Sequence, residues 1–306
     1  MKWSFSQANI FRKCQRQWYY KYIFASAIAK DPMRKEAHRL SNLTDLKFWR
    51  GKIVDAVISN SIIPKMNINV SIKFEEAIRL AREIFDNEKG QGLSGSSNNS
   101  NSKFGFVEIE YGHSISEHDF DQAWRDIELC LKNYYSIEMI QKILNKSNYR
   151  MTQPNIPIKC NDVSINAKPD IICLYANRKP IIIDWKVQTN PIINSRAQLA
   201  LYAFALSKYR AISGPLSSLR DLKISELGIA EVQLLAGVIR KHEILDDEVE
   251  EIEDQIVFSA EEIKMAKRGL SSKELQASDF KTAYSPSACL YCCFKKICWE
   301  VSSELS

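Results

Sequence analysis

The sequence predicts an α/β fold in which a mostly helical first half gives way to a run of short strands. Three observations predict it. Up to about residue 150, apolar residues recur at helical spacing. Beyond Pro154 they gather into short blocks separated by tight polar turns. The strand blocks are then followed by a helix, a further strand or hairpin, and an acidic helix that leads into a cysteine-rich tail.

The elements follow in order. Ser4 with Gln7 three residues on forms a capping box that opens the first helix. Ile10, Phe11, Cys14, Trp18 and Tyr22 share one side of it, and Arg12, Lys13, Arg16 and Lys21 the other. Aromatics interleaved with bases fit nucleic-acid contact or a core-facing helix with a solvated basic side equally well. A second helix starts near Gly51 and runs through Ile53, Val54, Val57, Ile58 and Ile62, with Asp55 inside its apolar pattern. A third spans Ile72 to about Asn87, and residues 88–103, rich in Gly, Ser and Asn, read as a disordered surface loop. Phe104 to Ile115 reads as extended, and Asp119 as the cap of a long helix through Trp124, Ile127, Leu131, Tyr134 and Ile143.

Strands are expected at Ile156–Cys160, Val163–Ile165, Ala167–Tyr175 and Pro180–Lys186, a helix at Arg196–Tyr209, and a strand or hairpin within Glu231–Ile244. The acids from Asp246 to Asp254 suit the start of a helix, where they meet its dipole. The expected organisation is one domain over 1–306, made of an N-terminal helix (1–24), a mostly helical region (25–150), a core (151–245) and a helix with the cysteine tail (246–306). No internal repeat is present.

Composition sets the outer limits. A chain of 306 residues, 45% hydrophobic and 26% charged, can bury one large core or two modest ones. A net charge of +5 permits a polyanionic partner without demanding one. Apolar runs are of strand length, far short of a membrane span, and the first residues lack a secretory signal's apolar stretch. A cytoplasmic protein without membrane contact is expected. Four of the 8 cysteines fall in Cys289-Leu-Tyr-Cys292-Cys293-Phe-Lys-Lys-Ile-Cys298, the clustering of a metal site, while Cys130, Cys160 and Cys173 sit among apolar neighbours as small hydrophobes.

The chemistry gathers at Lys168-Pro-Asp170 and at Ile181-Ile182-Ile183-Asp184-Trp185-Lys186. Each strand carries an acid where a buried strand should have a hydrophobe. Asp184 and Lys186, at i and i+2, point to the same face, and Asp170 on the neighbouring strand is placed to join them. Two carboxylates and an ammonium at a strand end suit a divalent cation, a water and a phosphate. Structural alternatives stand beside this: Lys186 as a neutralising partner for Asp184, and Tyr202 as a core residue.

This ordered set, completed by Gln198-Leu-Ala-Leu-Tyr202 on the following helix, resembles the PD-(D/E)XK nuclease superfamily and, within it, the RecB-like branch. The resemblance implies a restriction-endonuclease-like core, a central mixed sheet flanked by helices. Asp170 matches the family's first acid, Asp184 and Lys186 its (D/E)-X-K pair, and Gln198 and Tyr202 its Gln-X-X-X-Tyr motif. Cys14 on the first helix, with Cys289, Cys292 and Cys298 spaced C-X2-C-X5-C, resembles the iron–sulfur subgroup that includes AddB-type and CRISPR-associated RecB-like nucleases. It implies a structural 4Fe–4S cluster, although four thiolates also suit tetrahedral zinc. Cys293 is read either as a spare thiol or as an alternate for Cys292.

By the same resemblance, Asp170 and Asp184 hold Mg²⁺ or Mn²⁺ with the Trp185 carbonyl, Lys186 orients or deprotonates a water or stabilises the transition state, and Gln198 and Tyr202 position the lysine and the DNA backbone. Two positions depart from the pattern. Gly51-Lys-Ile-Val-Asp55 has aspartate where the family has histidine, which makes Asp55 a candidate ligand, and Gln153 stands where related proteins often carry glutamate. The implied activity is a metal-dependent DNA nuclease, acting on single strands or ends in repair, recombination or phage/CRISPR defence. The alternative is a weakly active or inactive DNA-binding scaffold subunit of the same fold. The chain has no G-X-X-X-X-G-K-[ST] motif, so any helicase function belongs to a partner.

Overall fold

A computed structural model describes residues 1–94, 104–187, 193–210, 216–220 and 222–303. The strands are β1 (Lys2–Trp3), β2 (Leu43–Thr44), β3 (Gly105–Phe106), β4 (Tyr149–Thr152), β5 (Ile156–Cys160), β6 (Val163–Ala167), β7 (Ile171–Leu174), β8 (Ile181–Lys186), β9 (Gly228–Gln233) and β10 (Val238–His242). Two compact units are built from interleaved pieces of chain.

The first unit comprises Met1–Trp3, Lys47–Phe85 and Phe120–Val257. Its centre is a five-stranded mixed sheet in the order β10-β9-β8-β7-β4. Only β8 and β9 run parallel, with Asp184 beside Glu231 and Lys186 beside Gln233. A parallel pair needs a long crossover, and the helix Ile193–Lys208 lies within it. The apolar runs of β7 and β8 are the signature of strands covered on both faces: Ile171, Ile172, Ile182 and Ile183 are all fully buried. The helix Ile193–Lys208 covers the Asp184 face, where Tyr202 reaches that carboxylate. On the other face the helix Glu117–Ser136 sets Tyr134 edge-on against Trp185, ring centroids 5.8 Å apart. A smaller sheet, β1-β6-β5, joins the first strand to this unit through a parallel β1–β6 pair.

The second unit comprises Ser4–Leu46, Asp86–Asp119 and Phe258–Ser306. Its core is aromatic. Phe11 packs edge-on to Trp18, Tyr19 stacks on Phe280 at 5.0 Å and Tyr20 on Phe294 at 5.7 Å. The phenols of Tyr19 and Tyr20 donate to the carbonyls of Leu275 and Ile297, so each buried hydroxyl is satisfied. Of the two readings of the first helix, the core-facing one describes its aromatics: Trp18 and Tyr20 are buried, whereas Arg12, Lys13 and Lys21 are exposed. Arg16 departs from the solvated side, since its Nε donates to the Phe280 carbonyl at 3.3 Å.

Several expectations are corrected. Ser4 caps the first helix as expected, accepting from the Gln7 amide. That helix, however, stops at Lys13, because Cys14 is extended (φ −162°, ψ 110°) and its sulfur caps a new helix, Gln15–Tyr19, by accepting from the Gln17 amide at 3.4 Å. The helix expected to end at Asn87 continues as Phe74–Ser94, so residues 88–94 are helical, and 95–103 lie outside the described residues. A Cβ on Gly92 would stand 2.4 Å from the Phe106 ring; the glycine allows the close approach that carries the helix on. Residues 104–115 are extended only at β3, then form a helical turn, Val107–Glu110. Ser116, not Asp119, caps the helix Glu117–Ser136, with Asp119 returning a bond to the Ser116 amide. That helix breaks at Ile137, and Glu138–Lys146 is separate. The strands β1 and β2 were not expected. Among the described residues no helix is long and apolar enough to cross a membrane.

The end of the helix Glu138–Lys146 depends on Arg150 in β4. Its buried guanidinium donates from Nε to the Leu144 carbonyl at 2.8 Å, which also accepts from the Ser147 amide and hydroxyl, and from Nη2 to the Ser147 carbonyl at 2.9 Å. Arg150→Ala is expected to lower unfolding free energy by about 2 kcal/mol, since buried bonds to a charged donor are lost; urea denaturation reads the change.

Candidate active site and cysteine cavity

In the first unit the strand pattern of β8 forces Asp184 and Lys186 onto one face, and the structure closes them into a ring with the next helix. Lys186 Nζ lies 2.6 Å from Asp184 Oδ2 and donates to Gln198 Oε1 at 3.0 Å. Gln198 Nε2 donates to the Tyr202 hydroxyl at 2.6 Å, and that hydroxyl donates to Asp184 Oδ1 at 3.5 Å. Gln198 and Tyr202 act together because residues four apart share a helix face. Asp184 is only 1% exposed, so its charge depends on this ring.

Asp170 immediately precedes β7. Its Oδ2 accepts from the Trp185 amide at 2.7 Å, which puts the backbone N–H of Trp185 to a definite use. Burial, then the neighbouring charge of Asp184, pushes the Asp170 carboxyl well above the usual range, and Asp55 adds to the push. Asp184 is raised by burial, against the lowering effect of Lys186. Burial and the two nearby carboxylates raise the Tyr202 phenol as well.

Asp55 lies half-buried on the helix Leu46–Val57. It accepts from Ser59 Oγ at 2.8 Å and from Gln153 Nε2 at 2.6 Å. Burial raises it, while those bonds and the charge of Lys168 pull the other way. Both positions that depart from the expected pattern therefore meet in one contact.

Glu231 on β9 is a residue that sequence reasoning missed. It stands beside Asp184 in register, is 1% exposed, and accepts from Gln233 Nε2 at 2.8 Å. Burial acts to raise it, but bonds from Ser195 and Gln233 and the charges of His242 and Arg240 bring it below the usual range. His242 Nε2 stands 3.6 Å from Glu231 Oε2, its own basicity lowered by burial. The signal was available: Ile229-Ala230-Glu231-Val232 has an acid in a buried apolar strand, as β8 does.

In the second unit Cys14, Cys289, Cys292 and Cys298 line one cavity of about 500 Å³, together with Gln17, Tyr20, Phe294 and Trp299. Cys14 thus lines the same cavity as three cysteines that lie at the far end of the sequence. Burial pushes the Cys292 thiol up to about 12, with Cys293, Cys14 and Cys298 adding to the effect. Burial also raises Cys298, against the Arg16 hydrogen bond, with Cys14 and Cys289 pushing further upward. Cys293 does not line the cavity; its carbonyl accepts from the Tyr111 hydroxyl at 2.7 Å. Cys130 and Cys173 are fully buried and Cys160 nearly so, as small hydrophobes are.

The donor chemistry suits metals in both places, hard carboxylate oxygens in the first and thiols in the second. Among the described residues, however, no three of His, Cys, Asp or Glu are arranged so as to hold a metal ion.

The family model of the PD-(D/E)XK nuclease superfamily matches residues 2–299. The chain belongs to this superfamily, whose members are generally metal-dependent nucleases, and its mixed sheet flanked by helices agrees with that fold. No curated protein matches it. Among solved structures, the crystal structure of SSO0001 is 18% identical, covering 72% of this chain and 96% of its own, at a TM-score of 0.31, a likeness too slight to weigh.

The ring itself is open to test. Tyr202→Phe keeps a buried ring in place but removes the hydroxyl between Gln198 and Asp184. A loss of about 1 kcal/mol in unfolding free energy is expected, with unchanged circular dichroism.

Proposed function

We propose that the chain is a metal-dependent DNA nuclease that hydrolyses phosphodiester bonds on single strands or at ends. The observation that carries this reading is the closed ring of Asp184, Lys186, Gln198 and Tyr202, with Asp170 bound to the amide between the first two. A structural lysine needs only its ion pair. Here the ammonium is also aligned by a glutamine that is itself oriented by a tyrosine, which fits a group placed for chemistry.

In this reading Asp170 and Asp184, with Asp55 and the Trp185 carbonyl, are the groups that would hold Mg²⁺ or Mn²⁺. Mutual repulsion among buried carboxylates is the condition a divalent cation relieves. The bound cation supplies Lewis acidity toward the scissile phosphate. Lys186, whose side chain is 30% exposed, orients the attacking water in this reading and stabilises charge growing on a phosphate oxygen. Gln198 keeps that ammonium from folding wholly onto Asp184. The polyanion is drawn to a chain of net charge +5. Work on duplex DNA falls to a partner helicase or another recombination or defence protein.

In the same reading the cavity of Cys14, Cys289, Cys292 and Cys298 takes a structural 4Fe–4S cluster in preference to zinc, as the resemblance to the RecB-like iron–sulfur branch implies. The supporting observation is that all four expected cysteines, and not Cys293, line it.

Asp184→Ala or Lys186→Ala is expected to abolish Mg²⁺- or Mn²⁺-dependent cleavage of end-labelled single-stranded DNA while circular dichroism is unchanged; full cleavage by either variant would sink this site assignment. For the cysteines, Cys292→Ser is expected to remove the brown colour and broad absorbance near ~400 nm of anaerobically purified protein, and Cys293→Ser to keep both. A colourless wild type holding one zinc per chain would favour zinc.

A further inference from the structure

We infer that Gln153 is a positioning residue: its carboxamide holds the Asp55 carboxylate in place as the third acid of the site, an inference that rests on the metal-dependent reading above. Gln153 follows β4 by one residue, and its amide donates to the Asp170 carbonyl at 2.8 Å, extending the β4–β7 ladder to the site's first acid. Its φ is +45°, in the left-handed region that side chains other than glycine rarely adopt. Such conformations persist where the surroundings over-determine them, and they concentrate at functional sites.

The turn has a visible effect. At a strand end the side chain would follow the pleat; here the left-handed backbone swings it across to the helix Leu46–Val57, where Nε2 meets Asp55 Oδ2 at 2.6 Å. Ser59 Oγ meets the other oxygen at 2.8 Å. Asp55 is thus fixed by two neutral donors, one from its own chain turn and one from the sheet. Neutral donors fix a carboxylate without cancelling its charge, unlike Lys186 beside Asp184. One residue therefore ties two candidate ligands together: its backbone holds the chain at Asp170, and its side chain aims Asp55. Partners of this kind govern metal affinity without touching the metal.

Glycine separates the two roles, because it tolerates a positive φ better than glutamine while lacking the carboxamide. Gln153→Gly is expected to melt no lower than wild type, yet to bind Mn²⁺ about ten-fold more weakly, read by titration of the full chain followed by electron paramagnetic resonance. Gln153→Glu, which turns the donor into a like charge, is expected to lose affinity as well. In an Asp55→Ala background, Gln153→Gly is expected to weaken binding no further. Gln153→Gly binding Mn²⁺ as tightly as wild type overturns the inference and leaves the nuclease reading intact, provided Asp184→Ala still loses the metal. A wild-type chain that takes up no Mn²⁺ overturns both.

Discussion

The structure depends on a carboxylate buried in an isoleucine strand. Asp184 sits at 1% exposure, and an unpaired charge there would be costly enough to unfold a marginal domain. Its compensation comes from later in the chain: from Lys186 two residues on, and from the Tyr202 hydroxyl, itself held by Gln198, on the crossover helix. The parallel pairing of β8 and β9 needs that helix in any case, and the ring uses the helix's inner face. Architecture and charge compensation therefore rest on the same residues, so the helix cannot shift along the sheet without stranding the acid.

The acids of the site are held in different ways. Asp184 faces an ammonium, Asp170 a backbone amide, and Asp55 two neutral side chains. Glu231, alongside Asp184, relies on Gln233 and Ser195, with Arg240 and His242 near.

The central strands were legible because their chemistry contradicts their surroundings. An acid after three isoleucines, followed two residues later by a lysine, cannot be a plain core strand, and period-two geometry then places both side chains without further information. The N-cap at Ser4 was readable for a similar reason, being local. What escaped reading depends on contacts distant in sequence. The helix through Gly92 continues because a phenylalanine packs on the glycine, and composition alone points the other way. The break at Cys14 is made by one extended residue that no periodicity marks. Gln153 looked like the loss of a charge; its left-handed backbone, invisible in the sequence, reveals a donor instead. Glu231 carried the same signal as Asp184 but lacked a lysine two residues on to draw attention to it.

The aromatic core of the second unit has a consequence for biosynthesis. Trp18, Tyr19 and Tyr20 emerge from the ribosome early, whereas Phe280 and Phe294, the rings they pack against, come near the end. Every residue of the first unit is translated before Phe258, so that unit gains its sheet while the aromatic helix still has bare faces. Contacts of such sequence separation form late and slowly. The nascent protein therefore carries an adhesive apolar segment through most of its synthesis, a natural client for a holding chaperone.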